Sequence, residues 1–268
     1  IVSLMKFQKF PEWFMTFPVN RQQLLSGSND AYVKKYRKGK VEILMKKKIH
    51  FYFDFVSPYA YFAWRKLPTL AKKYNREIEA HPIVFGKLLD KWGQLGPAEI
   101  PPKNNWLNQY CLRYAAINGF EFNPPKAHPF NPLSALRMSL KEVSGIDQLK
   151  VIDTIFEGGW SHGEDLGDLS ILISLLTKES IDGEKLSQKI FETDIKQILV
   201  NETSNAIEKG IFGVPTIIVD DKLFWGNDQM DHIELVLNGK DPLDCQKLDN
   251  QERPRGIDRK AFKKLDKD

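Results

Sequence analysis

The run Ile49-His50-Phe51-Tyr52-Phe53-Asp54-Phe55-Val56-Ser57-Pro58-Tyr59-Ala60-Tyr61 changes character at a single residue. Up to Val56 it is aromatic and β-branched, which is the composition of a strand. Ser57 is a favoured helix N-cap and Pro58 a favoured first helical residue, so a helix starts there by local chemistry alone. The apolar positions Tyr61, Phe62, Trp64, Leu67, Leu70 and Ala71 follow the three-and-four spacing of one buried face, to about Tyr74. Pro68 has no amide hydrogen and is expected to kink or divide that helix. Glu77 to Val84 reads as a second strand, and strand, helix and strand together have the size of a βαβ unit.

Downstream of this unit, residues 87–210 show no second strand-rich cluster. Their periodicity predicts helices over 104–118, 133–143, 148–158, 169–177, 183–192 and 195–209, with Asp168 and Asp182 as N-caps. Gly213-Val214-Pro215-Thr216 then leads into a strand at Ile217-Ile218-Val219. Asp220-Asp221 reads as a hairpin turn and Lys222-Leu223-Phe224-Trp225 as the returning strand. A last helix is expected from Asp228 to about Leu237, and the charged tail beyond Asp241 is expected to be extended or mobile.

The order is βαβ, a helical block, then ββα: an α/β chain in which a large all-helical insertion interrupts one small sheet domain. The boundaries that follow are a folded domain over 46–244, with its core at 47–86 and 211–240 and the insertion at 87–210. A charged C-terminal tail occupies 245–268. Residues 1–44 mix Phe7, Phe10, Trp13, Phe14 and Phe17 with the basic run Lys34-Lys35-Tyr36-Arg37-Lys38. They read either as a helical arm that docks on the body or a membrane surface, or as a dispensable, non-native extension.

The chain's 268 residues are enough to bury a sizeable core. A net charge of +4, from 39 basic and 35 acidic residues, is too small for the basic footprint of a nucleic-acid binder and suits an anionic small ligand. The two cysteines, Cys111 and Cys245, stand in neither a CxxC nor a zinc-like spacing, so no disulfide framework, dithiol centre or metal site is expected. No apolar run approaches the ~20 residues of a membrane span, and the N-terminus carries no secretory pattern. A cytoplasmic, reducing setting without an integral membrane segment is the expectation.

At the Ser57-Pro58 junction, capping alone explains both residues. The same geometry aims backbone amides and the positive end of the helix dipole at one spot, which favours a thiolate or carboxylate. Thiol pKa values fall at such a terminus. Ser57 has no sulfur, so a thiol must arrive with a ligand. Pro215 reads either as a plain strand-entry proline or as a cis proline. In the second case the Val214 N–H and C=O form an edge for a peptide-like ligand.

Taken together, Phe53 through Tyr61, Gly213-Val214-Pro215-Thr216 and Phe224-Trp225-Gly226-Asn227-Asp228 resemble the DsbA-like branch of the thioredoxin fold. That branch holds the 2-hydroxychromene-2-carboxylate isomerases and the kappa-class glutathione transferases. Gly96-Pro97-Ala98-Glu99-Ile100-Pro101-Pro102-Lys103 and His128-Pro129-Phe130-Asn131-Pro132-Leu133 resemble its isomerase side. The likeness covers about residues 46–244.

The resemblance implies a thioredoxin-like fold with glutathione as cofactor, lying along the Pro215 edge with its sulfur at the helix N-terminus. Ser57 matches the position whose hydroxyl bonds that sulfur, and Val214 with Pro215 matches the backbone clamp. Trp225, Gly226, Asn227 and Asp228 match the segment that holds the γ-glutamyl end, although Asn227-Asp228 is also a plain helix cap. Substrate contacts are implied for Lys87, Lys103, Asn104 and Asn131, where a lone lysine is otherwise a solvated surface residue. Trp160, Asp165 and Asp168 read as core and capping, and His162 takes no role.

The implied reaction interconverts 2-hydroxychromene-2-carboxylate and trans-o-hydroxybenzylidenepyruvate by reversible thiol addition, and the implied assembly is a homodimer. Two readings stay open beside it: a kappa-class-like glutathione transferase or peroxidase, and a non-enzymatic DsbA-like peptide-binding protein. A dithiol oxidoreductase fits least, because Ser57-Pro58-Tyr59-Ala60 contains no sulfur.

Overall fold

A computed structural model describes residues 47–251 in full and the backbone of residues 32–37 and 40–45. The chain divides into two units, residues 1–46 and 47–268. In the first, β1 (Tyr32–Arg37) and β2 (Lys40–Met45) pair antiparallel, Tyr32 opposite Met45 and Arg37 opposite Lys40. A hairpin therefore stands where a helical arm was one expectation; the recurring Tyr, Val and Ile of these two segments suit a pleated surface better than a helix. The aromatic residues at 7–17 lie outside the described residues.

The second unit opens with β3 (Lys48–Phe53), α1 (Pro58–Lys73) and β4 (Glu77–Pro82). It continues through α2 (Phe85–Trp92), α3 (Pro101–Asn118), α4 (Leu133–Met138), α5 (Lys141–Ser144) and α6 (Gln148–Trp160). Next come α7 (Leu169–Lys178), α8 (Gly183–Lys189) and α9 (Thr193–Glu208). The chain returns as β5 (Thr216–Val219), β6 (Lys222–Trp225) and α10 (Met230–Leu237), with a short α11 (Cys245–Asp249) beyond. The sheet order is β4-β3-β5-β6, with β3 parallel to β4 and antiparallel to β5. A parallel pair needs a crossover, which α1 supplies. This is the expected thioredoxin-like fold, with the helical block inserted between β4 and β5.

Alternation along β3 turns Ile49, Phe51 and Phe53 into the main core, where Phe53 and Phe55 meet Phe156 of α6 at ring distances of 5.5 and 4.7 Å. The polar ends of buried aromatics then fix the helical block to the sheet domain. Trp64 Nε1 donates to Asp153 at 2.9 Å, and the Tyr61 hydroxyl donates to the Glu121 carbonyl at 2.7 Å. Trp160 Nε1 donates to the Phe55 carbonyl at 2.9 Å, two residues before Ser57. Each such bond satisfies a donor that burial would otherwise orphan, at a cost of about 1–3 kcal/mol. No helix among the described residues is long and apolar enough to cross a membrane.

Four local expectations are corrected. Helix α1 is not divided at Pro68: Trp64 and Leu67 before it and Ala71 after it are all buried on one face, so both halves pack as one helix. The single helix expected over 133–143 is two, since Ser139 Oγ turns back onto the Leu136 carbonyl at 2.8 Å and Leu140 is extended. Helix α2 was unexpected; it ends at Gly93, whose φ of 63° closes a left-handed C-cap. The tail carries α11, started by Asp244 accepting from the Lys247 amide at 3.1 Å. At the hairpin, Asp220 and Asp221 have φ of 46° and 65°, the two left-handed positions of a type I′ turn.

Candidate active site

Ser57 follows directly from the sequence chemistry: it is the N-cap of α1, and its Oγ accepts from the Ala60 amide at 3.3 Å. Its own amide is bonded to the Asp54 carbonyl at 3.1 Å, so the bend between β3 and α1 is closed from both sides. Asp54 is the unexpected part of this bend. It is 1% exposed, accepts the Val56 amide at 3.0 Å and the Phe85 amide at 2.9 Å, and so ties the Ser57 bend to the head of α2. Burial pushes its carboxyl up to about 7, against the pull of the Phe85 and Val56 amides.

Facing Ser57 is the loop before β5. The Val214-Pro215 bond is cis, and the Ser57 hydroxyl donates to the Val214 carbonyl at 3.5 Å. At that length the bond is weak, and the hydroxyl proton can turn to a stronger acceptor. The Gly226 amide donates to the Pro215 carbonyl at 3.0 Å, which fastens the end of β6 to the same loop. Trp225 is half exposed and lies over Gly213, where a Cβ would stand 2.4 Å from its Nε1; Gly213 leaves the indole its place. Gly226 has a φ of 110° and faces Asp228 so closely that a Cβ would meet Oδ1 at 2.4 Å.

Asn227 is buried, and its Nδ2 donates to the Tyr110 hydroxyl of α3 at 3.1 Å. Asp228 is exposed. It does not cap α10 as one reading had it, because a 3-10 turn over Asn227–Gln229 delays that helix to Met230. The structure thus brings the Ser57 hydroxyl to the Val214 carbonyl of the cis-proline loop, with the Gly226 amide lashed to Pro215 of the same loop. Trp225 stacks over that loop's Gly213, and Asn227 and Asp228 follow on the strand's exit.

The remaining candidates scatter. Lys87 points to solvent on α2 and pairs with Asp90 at 3.4 Å. Asn131 is exposed and its Oδ1 accepts the Leu133 amide at 3.1 Å, opening α4. Lys103 is exposed in the first turn of α3. Asn104, its neighbour, helps line a hollow of about 300 Å³ that Pro58 also lines. The other walls include Asn108, Cys111, Phe122, Lys126, His128 and Trp160. Its lining is almost evenly polar and apolar, with Leu107, Phe122 and Trp160 set against Asn104, Asn108, Lys126 and His128, and its size is at the lower end for a small-ligand site. A larger one of about 570 Å³ between β6, α10 and α11 contains no residue of the Ser57 site.

His128 and Lys126 were not singled out by the sequence. The imidazole of His128 donates from Nε2 to the Val56 carbonyl at 2.8 Å, next to Ser57, which leaves Nδ1 as the lone-pair nitrogen. Burial lowers its pKa, with the Val56 bond acting the other way. The available signal was the resemblance of His128-Pro129-Phe130 to the isomerase side of the family. Cys111 is no substitute nucleophile: burial pushes its thiol up to about 12. Cys245 is exposed on α11.

The DSBA-like thioredoxin domain model matches residues 48–238. A 2-hydroxychromene-2-carboxylate isomerase of Sphingobium xenophagum is 30% identical over 197 residues, which are 72% of this chain and 99% of that protein. Glutathione s-transferase kappa 2 of Caenorhabditis elegans is 24% identical over 185 residues, 66% of this chain and 82% of that protein. The solved structure of a 2-hydroxychromene-2-carboxylate isomerase superposes with a TM-score of 0.67 at 23% identity, covering 77% of this chain and all of the other. With the domain model covering most of the chain and a relative at 30% identity matched over nearly its full length, the chain belongs to the 2-hydroxychromene-2-carboxylate isomerase family of DsbA-like thioredoxin-domain proteins.

Proposed function

We propose that the chain is a glutathione-dependent isomerase that interconverts 2-hydroxychromene-2-carboxylate and trans-o-hydroxybenzylidenepyruvate. The observation that carries this reading is the Ser57 hydroxyl, set at the N-terminus of α1 within 3.5 Å of the Val214 carbonyl and next in sequence to Pro58, which lines the hollow. The donor set fits a thiol tripeptide. A helix terminus with a hydroxyl suits a thiolate, strand-end backbone at Val214 suits a peptide bond, and the exposed Asp228 carboxylate suits an ammonium.

When bound, glutathione supplies a nucleophilic thiol that adds to a conjugated carbon and leaves again, so that a double bond can turn as a single one. Ser57 and the first turn of α1 hold negative charge at the thiol position and lower its pKa towards the working pH. Asn104 and Lys126 offer an amide and a cation to the substrate carboxylate, while Phe122 and Trp160 flank the hollow with apolar surface for an aromatic ring. His128, with Nε2–H fixed on Val56, holds its Nδ1 as a proton acceptor.

The test is conversion of the chromene by the purified chain with and without glutathione. Turnover that needs glutathione is expected; equal turnover without it removes the thiol from the mechanism. The kappa-class relative favours a second reading, a transferase using the same Ser57 site. Conjugation of generic electrophiles without any chromene isomerisation selects it.

A further inference from the structure

On the sheet face turned away from Phe51 and Phe53, the parallel register sets His50 opposite Glu79 and Tyr52 opposite His81. Alternation puts these four side chains on one face. His50 Nδ1 and His81 Nε2 lie 3.1 Å apart, and Glu79 Oε1 lies 3.9 Å from His81 Nε2. One donor atom from each of His50, Glu79 and His81 lies within 4.8 Å of the others, and all three residues are half-buried. The second nitrogen of His81, Nδ1, is 3.0 Å from Glu202 Oε2 on α9. A carboxylate accepts, so Nδ1 carries the proton and Nε2 turns its lone pair towards His50 and Glu79. Tyr52 stacks on the His81 ring at 4.4 Å and is itself bonded through its hydroxyl to Lys209 at 2.9 Å. Lys48 holds the other oxygen of Glu79, which leaves Oε1 facing the histidines.

We propose that His50, Glu79 and His81 form a binding site for a divalent cation of the zinc(II) class, with Glu202 orienting His81. Two imidazoles and a carboxylate are a zinc donor set, and tetrahedral bonds of about 2.0–2.1 Å place neighbouring ligand atoms about 3.3 Å apart. The two histidine nitrogens already stand close to that separation, and a small swing of the Glu79 carboxylate brings in the third ligand. The cation takes His50 in its Nε2–H tautomer, so that Nδ1 presents its lone pair. Glu202 to His81 to cation is the outer-shell relay that fixes a ligand's tautomer and ring plane. The fourth position opens towards a hollow of about 130 Å³ whose walls include Glu79, His81, Glu202 and Glu142, where a water completes the coordination. None of these ligands takes part in the Ser57 site; the cation would clip β3 to β4.

The test is calorimetric titration of the full, chelator-treated chain with zinc chloride. One zinc per chain is expected, together with the ligand-field absorption of tetrahedral cobalt(II) when cobalt replaces zinc. His50→Gln with His81→Gln abolishes both signals, with the fold checked by circular dichroism. Glu202→Gln weakens binding roughly 10–100-fold while keeping one site per chain. Should the double variant fail to fold, Glu79→Gln carries the test, with a loss greater than the roughly 10–100-fold of an outer-shell change. Absence of zinc binding by the unaltered chain overturns the proposal. So does binding that the folded variants leave undiminished, which belongs to other surface groups.

Discussion

Asp54→Asn keeps the size of a side chain that is 1% exposed and removes its charge. Burial raises the Asp54 carboxyl from 3.8 to about 7, against the pull of the Phe85 and Val56 amides. Between those two values the folded chain holds a proton that the unfolded chain has released, so stability falls as pH rises through the window. At about 1.4 kcal/mol per pH unit, the fall attributable to this one group is roughly 4 kcal/mol. Asn cannot ionise and escapes that loss. It also cannot accept from both amides, since its NH₂ faces one of them donor to donor, at a cost of about 1–3 kcal/mol at every pH. The variant should therefore be less stable than the unaltered chain near the acid end of the window. It should gain on it steadily towards neutrality, by roughly 4 kcal/mol in total. Urea unfolding followed by tryptophan fluorescence, at a series of pH values across the window, measures this difference directly. A difference that stays flat with pH refutes the argument from a buried, neutral carboxyl.

Trp160→Phe removes the donor to the Phe55 carbonyl and should lower stability by about 1–3 kcal/mol in thermal unfolding, with a lower turnover because that carbonyl lies beside the Ser57 bend. Asp220 is held well below the usual carboxylate range, at about 2, first by the hydrogen bonds of Arg76 and also by Lys47. Its contribution is present above the ordinary carboxylate pKa and is lost as pH falls through about 2. Asp220→Asn keeps a residue tolerant of positive φ, so it should cost only about 0.2–1 kcal/mol near neutrality and flatten the acid limb of the unfolding profile. Asn227→Ala leaves the Tyr110 hydroxyl without its 3.1 Å partner and should cost about 1 kcal/mol in urea unfolding. It should also weaken glutathione binding while leaving the pKa of the bound thiol where it was.

The bend at Ser57 was legible because every instruction for it is local: a strand composition up to Val56, a capping hydroxyl, and a proline at the first helical position. The β5–β6 hairpin was legible for the same reason, with two residues at Asp220-Asp221 able to take positive φ. The division between α4 and α5 was not, because it depends on which way the Ser139 hydroxyl turns. Pro68 does not divide its helix because its local cost is outweighed by burial of Trp64, Leu67 and Ala71, which only tertiary packing reveals.

The hollow beside Pro58 draws Asn104 from one segment and Lys126 with His128 from another, and no spacing in the chain announces that meeting. Asp54 lies within the family-like motif, but its role is not legible there, because one of its partners is the amide of Phe85, 31 residues on, just past the end of β4. His50 and His81, 31 residues apart, become neighbours only through the parallel register of β3 and β4.

The central claim is that Ser57 and the N-terminus of α1 hold the thiolate of bound glutathione. It is tested most directly by following thiolate absorbance against pH for glutathione bound to the unaltered chain and to Ser57→Ala. A hydrogen bond to a charged acceptor contributes about 1.5–3 kcal/mol, so removing it should raise the bound thiol's pKa by about one to two pH units. The variant should stay folded, losing the roughly 0.5–2 kcal/mol of an N-cap. A bound thiol that titrates like free glutathione in the unaltered chain, or identically in both proteins, contradicts the account.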